Sequence, residues 1–514
     1  MDRARLTGLI LAFLALAAGA ALMWDYVTDD TWIHLRYAKH LLERGEYTFN
    51  PGDPTYGSTS PLWVFCLVFL LKIGLAPLLA ARVLGLVLGA AKLLVADRLL
   101  VRLPVPAGWR PWLLLLIALD AWFLRWTLSG METPLAELLM LVLLGPIAAS
   151  GPIAWLAWGA TWGLGSLARP EIAVLAPCAL PWLLWLQRRR HLHRRVLASL
   201  AKVALGWLLV AGPWLLYAQQ QFGRMIPGTA AAKSYPLQLS PAEMIEYLLR
   251  TVKQLAAVQG VLWVAFVLVA LAFWRDRRRG RAGGDGKTFG PRALALGAVA
   301  ATWLVVLVGG YSAKQVWTIS RYVSPLLAPL LLGMAVLAGA MLRRQGSGGR
   351  LGRGVAAAAA AAAPLINAGL LALKVRPYAT VFSRGVQECF YGTGEWLRDN
   401  TPPDTVIAAL DIGALGYASE RRILDLAGLV SPDARALGLE MGFERMVESG
   451  RWLELEPRPD YFFDRTAGEP RWAGRTVGGV RFDLLETCGI DGVGLAEAGV
   501  WTYALYRLSP AASP

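Results

Sequence analysis

Long apolar runs alternate with short polar loops along most of this chain, and the run lengths set the first expectation. A helix needs about 20 apolar residues to cross a hydrocarbon layer. Eleven stretches approach that length: residues 6–24, 77–99, 111–128, 133–149, 152–168, 171–187, 197–218, 255–274, 291–310, 322–341 and 353–373. A further run, 61–74, is short and bounded by Pro61 and Gly74, so it reads either as a short span or as a segment lying in the interface. From Arg376 onward the pattern becomes that of a soluble domain. GVQECFYGTGEWLRDN reads as helical, while TVIAAL, PDYFF, VRFDLLE and WTYALYRL read as strands. The expected fold is mainly α: a polytopic helical membrane domain of about 11 transmembrane helices over residues 1–376, followed by a small α/β domain over 377–514.

Composition agrees, since 56% hydrophobic and 17% charged residues are too apolar a mixture for a soluble globular protein of this length. The net charge of +15 would by itself fit a nucleic-acid partner. Its excess, however, falls in short blocks between apolar runs, such as RRRHLHRR at 188–195, RDRRRGR at 275–281 and RRQGSGGR at 343–350. Such blocks mark cytoplasmic loops, so the bilayer and not a nucleic acid is the expected partner. Taking 61–74 as interfacial places all the basic loops on the side of the N-terminus. The loops at 25–60, 129–132, 219–254 and 311–321, and the C-terminal domain, then lie on the outer face. The first apolar run follows Arg3 and Arg5 and resembles a signal peptide, but it lacks a convincing cleavage site and is read as a retained span of a plasma-membrane or inner-membrane protein. Cys66 and Cys178 fall in apolar runs and read as small buried hydrophobes, whereas Cys389 and Cys488 are candidates for a disulfide if their segment lies outside the cytoplasm.

Candidate chemistry centres on Asp29 and Asp30, adjacent carboxylates at the outer end of the first span. Two acids side by side at a membrane surface repel one another and cost solvation; helix capping explains one of them and leaves the other unexplained. They open an amphipathic helix, roughly 30–44, with Arg36, Lys39, Glu43 and Arg44 expected to face headgroups or water. His34 lies four residues after Asp30, a spacing that serves a hydrogen bond within the helix or, with further ligands, a divalent metal. Glu132 in SGMETP and Glu171 beside Arg169 in LARPE add acids on the outer side; Arg224, Lys233, Lys314, Arg321 and Tyr322 follow in the later outer loops. Cations there run against the positive-inside trend, and a basic cluster facing an acid suits a phosphate, with snorkelling to lipid headgroups as the plainer reading of each residue.

Taken in order, DDTWIHLRYAKHLLERGEYTFNPGDPTYGSTSPLW, SGMETPL, LARPE, FGRMIPGTAAAKS, SRYVSPLLAPL and DIGALGYASERRILDLAGLVSPD resemble the polytopic GT-C glycosyltransferases. The likeness is to the branch that includes the mycobacterial terminal arabinofuranosyltransferase, and it extends over nearly the whole chain. It implies transfer of a sugar, arabinofuranose being the one the branch suggests, from a polyprenyl-phosphate donor to a glycan or lipid acceptor outside the cytoplasm. By position Asp29 would be the base and Asp30 its neighbour. Glu132 would line the cavity, Lys233, Arg321 and Arg169 would meet the donor phosphate, and His34, Tyr56, Ser58, Thr59, Glu171 and Tyr322 would contact substrate. Gly228 stands where the family often has Asn, and the C-terminal domain is shorter than in the mycobacterial enzymes, which leaves sugar and acceptor open.

The residues fit that chemistry on their own terms. An acceptor hydroxyl needs a carboxylate to take its proton, and a lipid-phosphate leaving group needs positive charge. One acidic pair opposite one basic cluster suffices for a single displacement with inversion. The competing readings are a lipid-linked sugar transporter or flippase, disfavoured by the absence of repeated halves, and a non-catalytic sugar-binding membrane protein.

Overall fold

The structure, a computed structural model, describes residues 3–149, 151–187, 193–228, 240–279, 289–344, 350–491 and 499–511. Seven helices among them are long and apolar enough to cross a bilayer: Arg3–Met23 (α1), Pro77–Arg102 (α4), Val196–Phe222, Pro241–Arg278, Pro291–Ala313, Ser320–Arg343 and the first part of Arg350–Asn400. Ala107–Ala118, which contains Arg110–Ala118 (α5), and Ala121–Thr127 (α6) are bent by 50° and make an eighth if the pair is counted as one span. The bend follows from Asp120, whose side chain accepts the N–H groups of Trp122 and Phe123 and so starts a new helix inside the apolar run. The other three expected spans form shorter helices, with Thr133–Leu143 (α7) the first of them. Pro146, Pro152, Pro170, Pro177 and Pro181 punctuate that region, and a proline cannot donate to the turn before it. Pro61–Lys72 (α3) has 12 residues, about 18 Å of helix, too little to span.

Asp29–Arg44 (α2) corrects the sequence reading in one respect. Trp32, Leu35, Arg36, Tyr37 and Ala38 are all buried, and only Glu43 and Arg44 among the four expected outward charges are exposed. Amphipathic spacing shows that a helix has two environments; here the polar side meets the C-terminal domain where headgroups were expected.

That domain is joined without a linker. Arg350–Asn400 runs as one helix through π turns at Leu371–Val375 and Val386–Tyr391, so the boundary expected at 376 falls inside it. Beyond it lies a six-stranded mixed sheet in the order β2-β1-β3-β6-β5-β4, built from Val406–Ala409 (β1), Arg422–Asp425 (β2), Tyr461–Thr466 (β3), Thr476–Val477 (β4), Val480–Asp491 (β5) and Val500–Pro510 (β6). β1 pairs in parallel with β2 and β3, and the rest of the sheet is antiparallel. β1 is VIAA, buried at every position, as a central parallel strand requires. Cys389 and Cys488 form a disulfide that ties the helix to β5. A single apolar cluster combines Trp32, Tyr37 and Trp63 with Phe390, Ile412, Leu415, Phe463 and Tyr503, so bundle and domain share a core at their junction.

Candidate active site

α2 presents two functional faces. Asp30, Ile33 and His34 are spaced i, i+3, i+4 and line a cavity of about 360 Å³, together with Ser58, Thr59, Glu132, Arg169, Glu171, Lys314, Arg321 and Tyr322. Asp29, Trp32 and Arg36 point the other way, at the C-terminal domain. Asp29 accepts the N–H groups of Gly413 (2.8 Å) and Ala414 (2.7 Å), which open the short helix Gly413–Ser419. At the other end of that helix Arg36 donates to the carbonyls of Gly416 and, at 2.7 Å, Arg421, and its third bond goes to Phe49 O at 2.7 Å. The carboxylate takes two of the orphan N–H groups at the helix N-terminus, and the guanidinium sits at its C-terminal end, where the helix dipole favours a cation. Between them Trp32 packs on Tyr391 and Tyr417, with centroids 5.0 and 4.9 Å away. Burial, with Asp411 nearby, pushes the Asp29 carboxyl up to about 7 in spite of the two N–H donors.

The adjacent acids therefore occupy different environments. Asp30 Oδ2 receives Arg321 Nη2 at 2.6 Å inside the cavity. Arg169 is the second hub: it grips Glu171 with both edges of its fork (2.9 and 3.2 Å), donates to Glu132 at 3.1 Å and reaches the carbonyl of Arg321 at 3.3 Å. Glu171 also accepts Tyr311 Oη at 2.5 Å. His34 engages Ser58 Oγ at 3.2 Å through Nδ1 and faces Glu132 Oε2 at 3.5 Å through Nε2, in place of the bond expected within its own helix. Burial alone would raise the Glu132 carboxyl, but His34 and the Arg169 charge outweigh it and hold the group down at about 2. Asp30, Glu132 and Glu171 carry one charge more than Arg169 and Arg321, and Lys314, an exposed cation with no carboxylate partner among the described residues, brings the cavity to three groups of each sign. The lining also includes the apolar Val174, Leu175, Val306, Leu307 and Val316, of which Val174 is exposed. Such a cavity can take a phosphate at its charged end and an apolar chain along its wall.

Among the expected site residues, Tyr56 lies elsewhere, lining a second cavity of about 230 Å³ with Arg224, where its hydroxyl accepts Trp214 Nε1 at 2.7 Å. Lys233 lies outside the described residues. Among the described residues no three His, Cys, Asp or Glu groups come together in a way that could hold a metal ion. Tyr311 and, from the C-terminal domain, Leu429 line the main cavity without having been singled out in the sequence. An aromatic at the end of a span reads as an interfacial anchor, which hides Tyr311.

The bundle, its charged cavity and the appended mixed sheet define the fold of the GT-C class of integral membrane proteins. Along the whole chain it matches ArnT from Cupriavidus metallidurans bound to undecaprenyl phosphate, with a TM-score of 0.55 and 13% identity over 98% of this chain and 99% of that one. The apo form of the same ArnT superposes with a TM-score of 0.55 and 14% identity, covering 88% of this chain and 92% of that one. In sequence the chain is 30% identical over 267 residues to the terminal beta-(1->2)-arabinofuranosyltransferase of Corynebacterium glutamicum, 44% of this chain and 36% of that protein. It therefore matches about a third of that relative's length. Residues 380–503 match a family model described as a domain of unknown function (DUF8728).

Proposed function

We propose that this chain is a glycosyltransferase that moves a sugar, arabinofuranose being the first candidate, from a polyprenyl-phosphate donor to a glycan or lipid acceptor outside the cytoplasm. The observation that carries the reading is the cavity pairing of Asp30 with Arg321 beside Lys314, which has no carboxylate partner among the described residues, and an apolar lining. The likeness to an arabinofuranosyltransferase and the ArnT fold support it. The orientation rests on the basic loops and on the Cys389–Cys488 disulfide, since disulfides persist in oxidising compartments.

In the proposed reaction the donor phosphate takes Lys314 and Arg321. Arg321 then shares its charge between phosphate and Asp30, which loosens Asp30 for use as a base. The acceptor oxygen bonds to the anomeric carbon as the bond from that carbon to the phosphate oxygen breaks, the proton passes to Asp30, and the phosphate departs as an anion stabilised by the cations. A single displacement inverts the anomeric centre. Geometry favours Asp30 as base over Asp29, which faces the domain. A second reading keeps Asp29 as base, because a carboxyl near 7 is well matched to proton transfer.

Sugar transfer and donor binding in lipid nanodiscs, for wild type, Asp29→Asn and Asp30→Asn across several polyprenyl-phosphate sugars, test this. Abolished turnover in Asp30→Asn with donor binding retained is the expected result. The larger loss in Asp29→Asn would transfer the role to that residue. Binding without turnover in wild type, for every donor and acceptor tried, would favour the transporter or binding-protein reading.

A further inference from the structure

A third cavity, of about 560 Å³, lies at the other end of the bundle. Two helices measure its distance from the active site. Pro291–Ala313 puts Tyr311 in the main cavity and Arg292 in this one, 19 residues or roughly 28 Å apart; Ser320–Arg343 does the same with Arg321 and Arg343, 22 residues or roughly 33 Å apart. Those spacings match a hydrocarbon thickness of about 30 Å, so the third cavity opens where the helices leave the opposite leaflet.

Its lining mixes two chemistries. Arg102 ends α4, Arg292 begins one span and Arg343 ends another, so three separate helices each contribute an arginine to the lining of one space. No carboxylate lines it among the described residues. Arg292 Nη2 donates to Ala149 O at 3.1 Å and Arg343 Nη2 to Pro104 O at 3.3 Å, which holds each group at the cavity while its other N–H donors have no partner among the described residues. Apart from Gln187, whose amide donates to Gly151 O, the side chains of the rest of the wall are apolar, among them Ile147, Ile153, Leu186 and Ala340. Loop arginines satisfy the positive-inside trend wherever they fall; that trend does not account for three helix-end arginines around a single apolar hollow.

We propose that this cavity binds the phosphate headgroup of an anionic phospholipid from the leaflet opposite the active site, with the guanidinium groups on the phosphate and the apolar wall against the glycerol and upper acyl chain. Helix-end position and an apolar wall favour a lipid over a soluble anion. The site is independent of the glycosyltransferase reading.

The test uses full-length protein in detergent, titrated with phosphatidylglycerol and read by native mass spectrometry and thermal midpoint, with phosphatidylcholine and inorganic phosphate in parallel. Phosphatidylglycerol should bind and raise the midpoint where the other two do not. Arg102→Gln/Arg292→Gln/Arg343→Gln should weaken that binding on the order of 100-fold. Arg275→Gln/Arg278→Gln/Arg279→Gln removes equal charge from the same face outside the cavity and should leave it within a fewfold. Single substitutions at the three cavity positions, each expected to weaken binding severalfold, keep the test open if the triple variant fails to fold. Equal weakening by both triple variants, equal protection by inorganic phosphate, or cavity single variants that bind like wild type would overturn the proposal.

Discussion

Gly413→Ala should detach the C-terminal domain from the helix that carries Asp29 and Asp30. A Cβ at Gly413 would stand 2.0 Å from the backbone oxygen of Asp29, 2.7 Å from its carbonyl carbon and 2.8 Å from its carboxyl carbon. Ordinary contact begins near 3.4 Å, so about 1.4 Å of extra separation is needed, and the nearest obstacle is backbone with no rotamer to turn aside. A shift of that size carries the two N–H bonds to Asp29, now 2.8 and 2.7 Å, beyond hydrogen-bonding range. At pH 8, where the Asp29 carboxyl is mostly ionised, bonds to a charged acceptor contribute about 1.5–3 kcal/mol each, so docking should lose about 3–6 kcal/mol, less whatever the backbone recovers by tilting. Hydrogen–deuterium exchange across 413–421 should accelerate by two orders of magnitude or more, and turnover should fall with it. Wild-type protection and turnover in the variant would refute both the clamp and the claim that the domain positions α2.

Arg36→Lys keeps the charge but replaces a fork that reaches three carbonyls with a single ammonium, and should cost about 1–3 kcal/mol of docking, read by limited proteolysis at the domain junction. The Asp29 carboxyl is raised from 3.8 to about 7, so its contribution to stability is fully present below pH 3.8 and is lost as pH rises through about 7; the thermal midpoint should fall between pH 5 and pH 8, with a shallower fall in Asp29→Asn. Replacing Cys389 and Cys488 by serine opens a loop of sequence separation 99 and should lower the domain's stability on the order of 4 kcal/mol, measured by denaturant unfolding under non-reducing conditions.

Much of this site is legible in the sequence because its parts sit where a membrane topology concentrates them. The loops that the charge pattern assigns to the side opposite the basic blocks supply Asp30, His34, Glu132, Arg169, Glu171 and Arg321, and all six meet in one cavity. The division of labour between neighbouring acids is not legible, because successive residues on a helix differ in direction by about 100° and only the packing decides which direction faces the cavity. Arg36 was misplaced for a related reason: a polar residue on an amphipathic helix has the same pattern whether water, headgroups or carbonyls of another domain receive it. In the C-terminal domain the apolar runs of β1, β3, β5 and β6 announce themselves. RILD is a four-residue strand paired in parallel with β1, and such non-local pairing is not carried by local propensity.

The unbroken helix from Arg350 to Asn400, about 75 Å long, makes the angular phase of the chain matter at its junction. Inserting or deleting one residue near 380 would turn everything beyond it by about 100° and swing the docking helix off α2. A chimera that exchanges this domain with a relative's must therefore preserve the number of residues along the shaft, and the two π turns with it. Cutting at a tolerant loop, the usual recipe for swapping modules, has no counterpart here.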